Sequence, residues 1–217
     1  MRTVVYIDGF NLYYRALKGT PFKWLNIQTL CESVLPKNIV IQEVNYYTAR
    51  VSGRINANSP RDQHLYLKAL TSLSKVKLHF GSFQTQNKWM FLNQPVQLRP
   101  TGQGALNPNP KYACVVKTEE KGSDVNLGVH LVRDALLGKF DHAAVITNDT
   151  DLAEPLRIVT QEICLPVTLI SPSNRPAATL AKYATNIRHL GNYLSSNQLA
   201  QTISLKEGLI VTKPSDW

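Results

Sequence analysis

Four aspartates stand where a predicted buried strand or loop meets the next helix: Asp8, Asp124, Asp149 and Asp151. Carboxylates without accompanying histidine or cysteine are hard oxygen ligands, which suit Mg²⁺ or Mn²⁺ better than zinc. A divalent cation held by such a cluster lowers the pKa of a bound water and neutralises charge on a phosphodiester in the transition state. The four acids therefore favour metal-dependent hydrolysis of nucleic acid.

The same aspartates also suit a purely structural role. Asp8 and Asp149 each precede a helix, where a carboxylate can cap free backbone N–H groups. Asp124 falls in a first helical turn, where the helix dipole favours an acid by ~0.3–1 kcal/mol. Each segment alone leaves both interpretations open, and the recurrence of the same setting in three segments favours a site.

Short apolar segments alternate with helical patterns along the chain. The predicted strands cover residues 3–7, 43–49, 76–83, 112–117, 143–146 and 165–170. This alternation is typical of an α/β fold, a three-layer sandwich with a mainly parallel central sheet. In such folds ligands bind at the carboxyl ends of the strands, so we expect the aspartates at one edge of the sheet.

The helix expected from residue 125 onward contains apolar residues at helical spacing. Its pattern predicts one buried face made of Val125, Val129, Val132 and Leu136. Ser123 is the expected N-cap of this helix. Asp124 would then lie at the amino end of a helix packed on the sheet.

Residues 84–112 interrupt the alternation, because their prolines and glycines exclude a long helix. We predict an inserted β-hairpin followed by a long loop. Residues 201–212 alternate between polar and apolar types and predict a small C-terminal β-hairpin. The expected organisation is one domain over residues 1–190, with the insert at about 84–112, and a tail over residues 191–217 packed on that domain.

The formal net charge is +9 and results from few acids rather than from dense basic runs. This surplus suits a polyanionic partner such as nucleic acid, although a merely soluble basic protein is the alternative. Cations in the loop after the second strand, in the insert and near Asp124 are expected to contact RNA: Arg50, Arg54, Arg61, Lys88, Arg99, Lys111 and Lys121. In the insert they combine with Trp89 and Tyr112, as on surfaces that bind single strands.

The sequence also predicts where the protein resides. Hydrophobic residues make up 43% of the chain, enough for a packed core. No apolar run approaches the ~20 residues of a membrane span, and the amino-terminal residues lack a signal-peptide pattern. The cysteines match no zinc spacing. We therefore expect a cytoplasmic protein without membrane contact.

Three motifs carry a resemblance to a known family. They are Tyr6-Ile7-Asp8-Gly9-Phe10-Asn11-Leu12-Tyr13, Lys121-Gly122-Ser123-Asp124-Val125-Asn126-Leu127 and Thr147-Asn148-Asp149-Thr150-Asp151-Leu152. In this order they strongly resemble the NYN domain family of PIN-like ribonucleases, from the first strand to about residue 170. Residues 98–104 and the tail are also similar to bacterial single-domain NYN proteins.

The resemblance implies a PIN-like, Rossmannoid sandwich and an endoribonuclease that cuts RNA with metal-activated water. The residues that would hold Mg²⁺ or Mn²⁺ are Asp8, Asp124, Asp149 and Asp151. Asn11 would orient Asp8 or a water molecule, while Thr147 and Asn148 would support the ligands from behind. A homo-oligomer or a protein partner would supply target specificity.

Two further functions stay open beside the endoribonuclease. One is a catalytically weak RNA-binding or regulatory protein of the same fold, and the other is a small-molecule phosphohydrolase. Phe10 stands two residues after Asp8, where a haloacid-dehalogenase-type phosphatase needs a second aspartate. The chain also has no P-loop, no nucleophile elbow and no dinucleotide-binding fingerprint.

Overall fold

The centre of the molecule is a six-stranded parallel sheet. It is seen in a computed structural model that describes residues 1–53, 58–93, 111–205, 208–215 and 217. The strands are β1 (Arg2–Asp8), β2 (Val40–Thr48), β3 (Val76–Phe80), β6 (His142–Ile146), β7 (Val167–Ser171) and β8 (Asn186–His189). They stand in the order β3-β2-β1-β6-β7-β8, and every neighbouring pair is parallel.

Helices cover both faces of the sheet. They are α1 (Gly9–Leu12), α2 (Ile27–Val34), α3 (Ser59–Leu70), α4 (Ser123–Leu136), α5 (Ala153–Arg157), α6 (Ala178–Ala181) and α7 (Tyr193–Ser196). π-helical turns at Tyr13–Leu17 and Ile158–Glu162 extend α1 and α5, and a 3₁₀ turn at Thr150–Leu152 precedes α5. The predicted three-layer α/β sandwich is confirmed.

Side chains of neighbouring residues along a strand pack in the helical layers on opposite faces of the sheet. In β1, Val5 and Ile7 join the core cluster that also contains the apolar residues of α2 and α3. Val4 and Tyr6 join the second cluster, with those of α4 and α5. A strand buried on both faces reads as a continuous apolar run, which is why residues 3–7 and 143–146 are recognisable in the sequence.

The predicted strand at residues 76–83 is wrong in extent, because the chain leaves the sheet at Gly81. A Cβ there would lie 2.6 Å from the carbonyl oxygen of Lys121, so only glycine fits this close backbone approach. Beyond it, β4 (Ser82–Phe91) pairs antiparallel with β5 (Tyr112–Lys121) in a separate two-stranded ribbon. The segment at residues 112–117, expected in the α/β alternation, therefore belongs to this ribbon.

An inserted hairpin is confirmed, although it extends past the predicted 84–112 at both ends. Much of the predicted long loop falls on residues 94–110, outside the described part of the chain. At the carboxyl terminus, β9 (Thr202–Ser204) and β10 (Ile210–Thr212) form the expected antiparallel pair. Val211 of β10 is buried in the cluster with α2 and α3. In the described part, none of the helices combines the length and apolarity needed to cross a membrane.

The buried face predicted for α4 is wrong at three of its four positions, and the fourth, Val132, is partly buried against the core. Val125, Val129 and Leu136 are 62%, 58% and 69% exposed, whereas Leu127 and Leu131 are fully buried against the sheet. Both sets repeat at helical spacing, so periodicity could not choose between them. The helix begins at Ser123, and Gly122, at φ 91°, occupies the cap position expected for Ser123.

Candidate active site

The aspartates lie at the point where the strand order reverses. β1 and β6 are neighbours in the sheet, and the segments that follow them run to opposite faces. Leu12 of α1 packs in one core cluster, and Leu156 of α5 packs in the other. The two connections diverge and open a crevice at the carboxyl ends of the strands, which is where open α/β sheets bind ligands.

Asp8 forms the floor of this crevice and is 7% exposed. Its Oδ1 accepts a hydrogen bond from the Asn11 backbone N–H at 2.9 Å, and its Oδ2 accepts one from Thr147 Oγ1 at 3.1 Å. Burial raises the pKa of the Asp8 carboxyl to about 6, and the negative charges of Asp149 and Asp124 act in the same direction. Asp8 therefore caps α1, as predicted, and also lies in the candidate site.

Three further carboxylates meet beside Asp8. Asp124 in the first turn of α4, Asp149 after β6 and Asp151 in the 3₁₀ turn each place one oxygen within 4.8 Å of the other two. Asp149 Oδ1 also accepts the Asp151 backbone N–H at 3.2 Å, as expected of an N-cap. In the described part of the chain, no lysine or arginine forms an ion pair with these three aspartates.

The polar residues around the aspartates hold the two strand ends together. The side chain of Asn11 does not bind Asp8; its Oδ1 accepts the Asn148 backbone N–H at 2.9 Å. Thr147 Oγ1 donates to Asp8 and accepts the Asp149 backbone N–H at 3.0 Å. Asn148 Oδ1 accepts the Ala177 N–H at 2.7 Å, which fixes the loop after β7. These contacts determine where the carboxylates point.

Two concavities flank the aspartates and share Asp124. The first, which we call the cleft, has a volume of about 180 Å³ and contains Asp8, Asp124 and Asp149. The second, which we call the groove, has a volume of about 730 Å³ and runs between α4 and α5 from Asp124 and Asp151. A small molecule at the carboxylates therefore has two possible directions in which to extend.

Sequence reasoning missed five residues that line the cleft: Phe10, Tyr14, Arg15, Glu120 and Ser123, the last of which was expected only as an N-cap. The rings of Phe10 and Tyr14 stack with centroids 6.5 Å apart, and Phe83 of β4 meets Phe10 edge-on at 5.4 Å. The sequence did contain a pattern that could have identified Phe10, Tyr14 and Arg15. In a helix that begins at the end of β1, residues 10 and 14 lie on one face, and so do residues 11 and 15.

The cations predicted to contact RNA are dispersed. Arg54 and Arg99 lie outside the described residues; Arg50, Arg61, Lys88, Lys111 and Lys121 are exposed. Arg50 lies over the Phe80 ring at 5.2 Å, and Lys121 pairs with Glu119 at 3.4 Å. None of these five is among the residues that line the cleft or the groove. RNA contact, an oligomeric state and a cytoplasmic location stay predictions.

The donor set suits a hard divalent cation. Asp124, Asp149 and Asp151 offer carboxylate oxygens within reach of one ion, and Asp8 adds a fourth carboxylate behind them. Oxygen ligands of this kind fit Mg²⁺ or Mn²⁺. A bound cation would also offset the mutual repulsion of anions held this close.

Comparison with known proteins identifies a relative whose chemistry differs from the one that the motifs favoured. The chain is 30% identical, over 243 aligned positions, to the 6-hydroxy-3-succinoylpyridine 3-monooxygenase HspA of Pseudomonas putida; the match covers 100% of this chain and 75% of that protein. A solved structure, a protein of unknown function from Vibrio parahaemolyticus, shares the fold, with a TM-score of 0.53 at 14% identity over 91% of this chain and 96% of its own.

This finding corrects the predicted function. The relative is an oxidative enzyme, so the endoribonuclease interpretation is wrong, as are its hydrolase and endonuclease descriptions and the two alternatives beside it. The physical reason is that aspartates at a switch point define where a ligand binds, whereas one fold hosts many reactions. No family model matches the chain, and the resemblance to NYN domains stays a prediction.

Proposed function

The chain belongs to the family of the 6-hydroxy-3-succinoylpyridine 3-monooxygenase HspA, and from this we propose that it is a monooxygenase acting on a small substituted aromatic ring. The observation that carries the proposal is the identity of 30%, which extends over the whole chain. Because the match spans the whole chain, it includes β1, α4, β6 and the 3₁₀ turn at Thr150–Leu152, from which the four aspartates reach the crevice.

The geometry supports a reaction centre at the four aspartates. The crevice lies at the carboxyl ends of β1 and β6, and both concavities open from it. We propose that Asp124, Asp149 and Asp151 hold Mg²⁺ or Mn²⁺ there, with Asp8 behind them. When bound, the cation would orient and polarise an oxygen atom of the substrate.

The protein's own residues would position the substrate, and Asp8 would carry or release a proton beside it. Asp8 is buried, and its raised pKa leaves it able to hold or release a proton near neutral pH. Thr147 donates a hydrogen bond to the Asp8 carboxylate, and Asn11 Oδ1 accepts the Asn148 backbone N–H, so both side chains would help to hold the strand ends beside the substrate. Oxygenation consumes O₂ and two electrons, which an external reductant such as a reduced nicotinamide nucleotide would supply.

The test is oxygen uptake by the purified protein with 6-hydroxy-3-succinoylpyridine, the compound named for the relative. The reductant is NADH or NADPH, each with and without free flavin, in Mn²⁺, Mg²⁺ or EDTA. We expect substrate-dependent O₂ consumption and, from isotopically labelled O₂, labelled oxygen in the product. A folded protein that consumes no O₂ in any arm would overturn the proposal.

Matched variants locate the reaction. Asp149→Asn should reduce uptake by about a hundredfold or more, because it removes one charge from the cation site while keeping the size of the side chain. Asp62→Asn in the first turn of α3 removes a charge away from the crevice and should leave uptake unchanged. Equal losses in the two variants would contradict the assignment of the site.

A further inference from the structure

Arg15 is a cation placed beside an acidic centre without being neutralised by it. It lies in the π-helical turn Tyr13–Leu17 and lines the cleft together with Asp8, Asp124 and Asp149. Within the described part of the chain, no carboxylate lies at ion-pair distance from Arg15, and the cleft contains no other lysine or arginine. Its guanidinium is available to an anion that enters the cleft.

The wall beside Arg15 is aromatic. Phe10 and Tyr14 stack at 6.5 Å between ring centroids, and Phe83 of the ribbon holds Phe10 edge-on at 5.4 Å. The cleft volume of about 180 Å³ is close to that of an engineered cavity, ~150 Å³, that holds a benzene ring. The cleft therefore has the dimensions and the wall for one six-membered ring.

The two ends of the cleft differ in charge. At the floor Asp8, Asp124 and Asp149 present carboxylates, which suit a cation and, through it, a neutral oxygen of the ligand; Glu120, which accepts the Ser123 backbone N–H at 3.0 Å, adds a fourth carboxylate to the lining. At the rim Arg15 suits a carboxylate, since guanidinium and carboxylate form charge-assisted hydrogen bonds. A ligand that satisfies both ends has a hydroxyl or ketone at one end, an aromatic ring and an acid at the other.

The groove between α4 and α5 is a poorer match for such an acid. Its lining also carries carboxylates, those of Asp124, Asp151 and Glu154, so the acids alone do not distinguish it from the cleft. Its one lining cation, Arg133, already donates two hydrogen bonds to Asp134, at 2.7 and 3.0 Å. The remaining lining is largely aliphatic, so the groove offers an organic anion neither a free guanidinium nor an aromatic wall.

We propose that the cleft is the binding site for an aromatic carboxylic acid, with Arg15 as the anchor of its carboxylate and with Phe10 and Tyr14 as the wall for its ring. The assignment rests on the proposed function, because a small aromatic substrate comes from the relative. It goes further by selecting the cleft over the groove, by requiring an acid, and by naming the residue that determines this requirement.

The experiment measures equilibrium binding by calorimetry, in Mn²⁺ and without reductant, so that no turnover is needed. The ligands are 6-hydroxy-3-succinoylpyridine and its methyl ester, which keeps the ring and removes the negative charge. We expect the wild-type protein to prefer the acid, and Arg15→Gln to weaken binding of the acid by roughly tenfold to a hundredfold while leaving the ester unchanged. Arg15→Lys should restore part of the loss.

Lys18→Gln is the matched control, because Lys18 lies about one helical turn away, over the Tyr14 ring at 5.1 Å from its centroid, and does not line the cleft. It should change binding of the acid by less than about twofold. If Lys18→Gln lost as much affinity for the acid as Arg15→Gln, the effect would come from the total charge of the protein rather than from Arg15, and the proposal would be overturned. Acid binding that survives in Arg15→Gln, or a wild-type protein that binds acid and ester equally, would also overturn it.

The binding experiment and the oxygen-uptake experiment can fail independently of each other. If Arg15 controls binding of the acid but no oxygen is consumed, the cleft assignment stands and the monooxygenase proposal fails. If oxygen is consumed and Arg15→Gln binds the acid normally, the monooxygenase stands and the cleft assignment fails. Val129→Trp would then identify the alternative, since a bulky side chain in the groove should block substrate only if substrate lies there.

Discussion

Asp8 is a buried carboxylate, and among the described residues no lysine or arginine forms an ion pair with it. Its two oxygens accept hydrogen bonds from Asn11 N–H and Thr147 Oγ1, yet burial still raises its pKa to about 6. In the unfolded chain the pKa returns to its ordinary lower value. The folded state therefore binds more protons between about pH 4 and 6, and its stability falls as the pH rises through that window.

This imbalance predicts that Asp8→Asn stabilises the metal-free protein at pH 7.5. The amide keeps the size of the side chain and carries no charge to desolvate, so the gain in unfolding free energy should be on the order of 2 kcal/mol. Melting temperatures in EDTA should rise by several degrees at pH 7.5, and the difference should disappear near pH 4. A lower melting temperature of the variant at pH 7.5 would contradict this account.

Asp141 provides a control of opposite sign. It lies just before β6 and accepts hydrogen bonds from Arg2, which hold its pKa at about 2. Its stabilising effect is present above the ordinary pKa of an aspartate and is lost as the pH falls towards 2. Asp141→Asn should therefore lower the melting temperature at neutral pH, if only slightly because the pair is exposed.

At the scale of elements, the site depends on how closely α4 and α5 approach. Gly128 of α4 faces Pro155 of α5, and a Cβ added at Gly128 would lie 2.9 Å from Pro155 Cγ. The ring of Pro155 cannot rotate away. Since the turn before α5 carries Asp151 and the first turn of α4 carries Asp124, the spacing of the two helices determines whether both acids reach one cation.

We expect Gly128→Ala to weaken Mn²⁺ binding several-fold, as measured by calorimetry. Alanine favours a helix over glycine by about 0.5–1 kcal/mol, so the fold should survive the displacement of α5. Gly138→Ala, just beyond the end of α4, meets no neighbour within 4 Å and is strained only by its φ of 63°. It should lower stability by roughly 1 kcal/mol and leave Mn²⁺ affinity unchanged. Equal affinity in both variants and the wild type would contradict the argument.

At the scale of the whole molecule, the charge of +9 indicated a polyanionic partner, and the acids then indicated RNA hydrolysis. Net charge bears on non-specific attraction rather than on the reaction that a site performs. The whole-chain match to a monooxygenase assigns the family, and it does so independently of the charge.

RNA hydrolysis and oxygenation can be tested in the same protein sample. We expect single-stranded fluorescent RNA with Mn²⁺ to remain intact under conditions in which the same sample consumes O₂ with substrate and reductant. Gel analysis of the RNA and an oxygen electrode provide the two readouts. Metal-dependent RNA products that disappear in Asp149→Asn, from a sample that consumes no O₂, would reverse the conclusion.

The sequence by itself determined which strand ends carry the aspartates of the candidate site. The apolar runs at residues 3–7 and 143–146 predict buried strands, and the sequence places Asp8 and Asp149 at their carboxyl ends, the edge at which parallel sheets commonly bind ligands. The α/β class follows from the same alternation. These are local properties, since a strand buried on both faces must be apolar at every position.

Only the tertiary structure decided which surfaces face one another. The valines and leucines of α4 have the same period, and the sheet selects Leu127 and Leu131 while leaving Val129 in the groove. Arg15 and Phe10 become part of the site because the order of the sheet places β6 beside β1, so that the turn after β1 borders Asp149. Contacts between segments more than a hundred residues apart are not encoded in the pattern of either one.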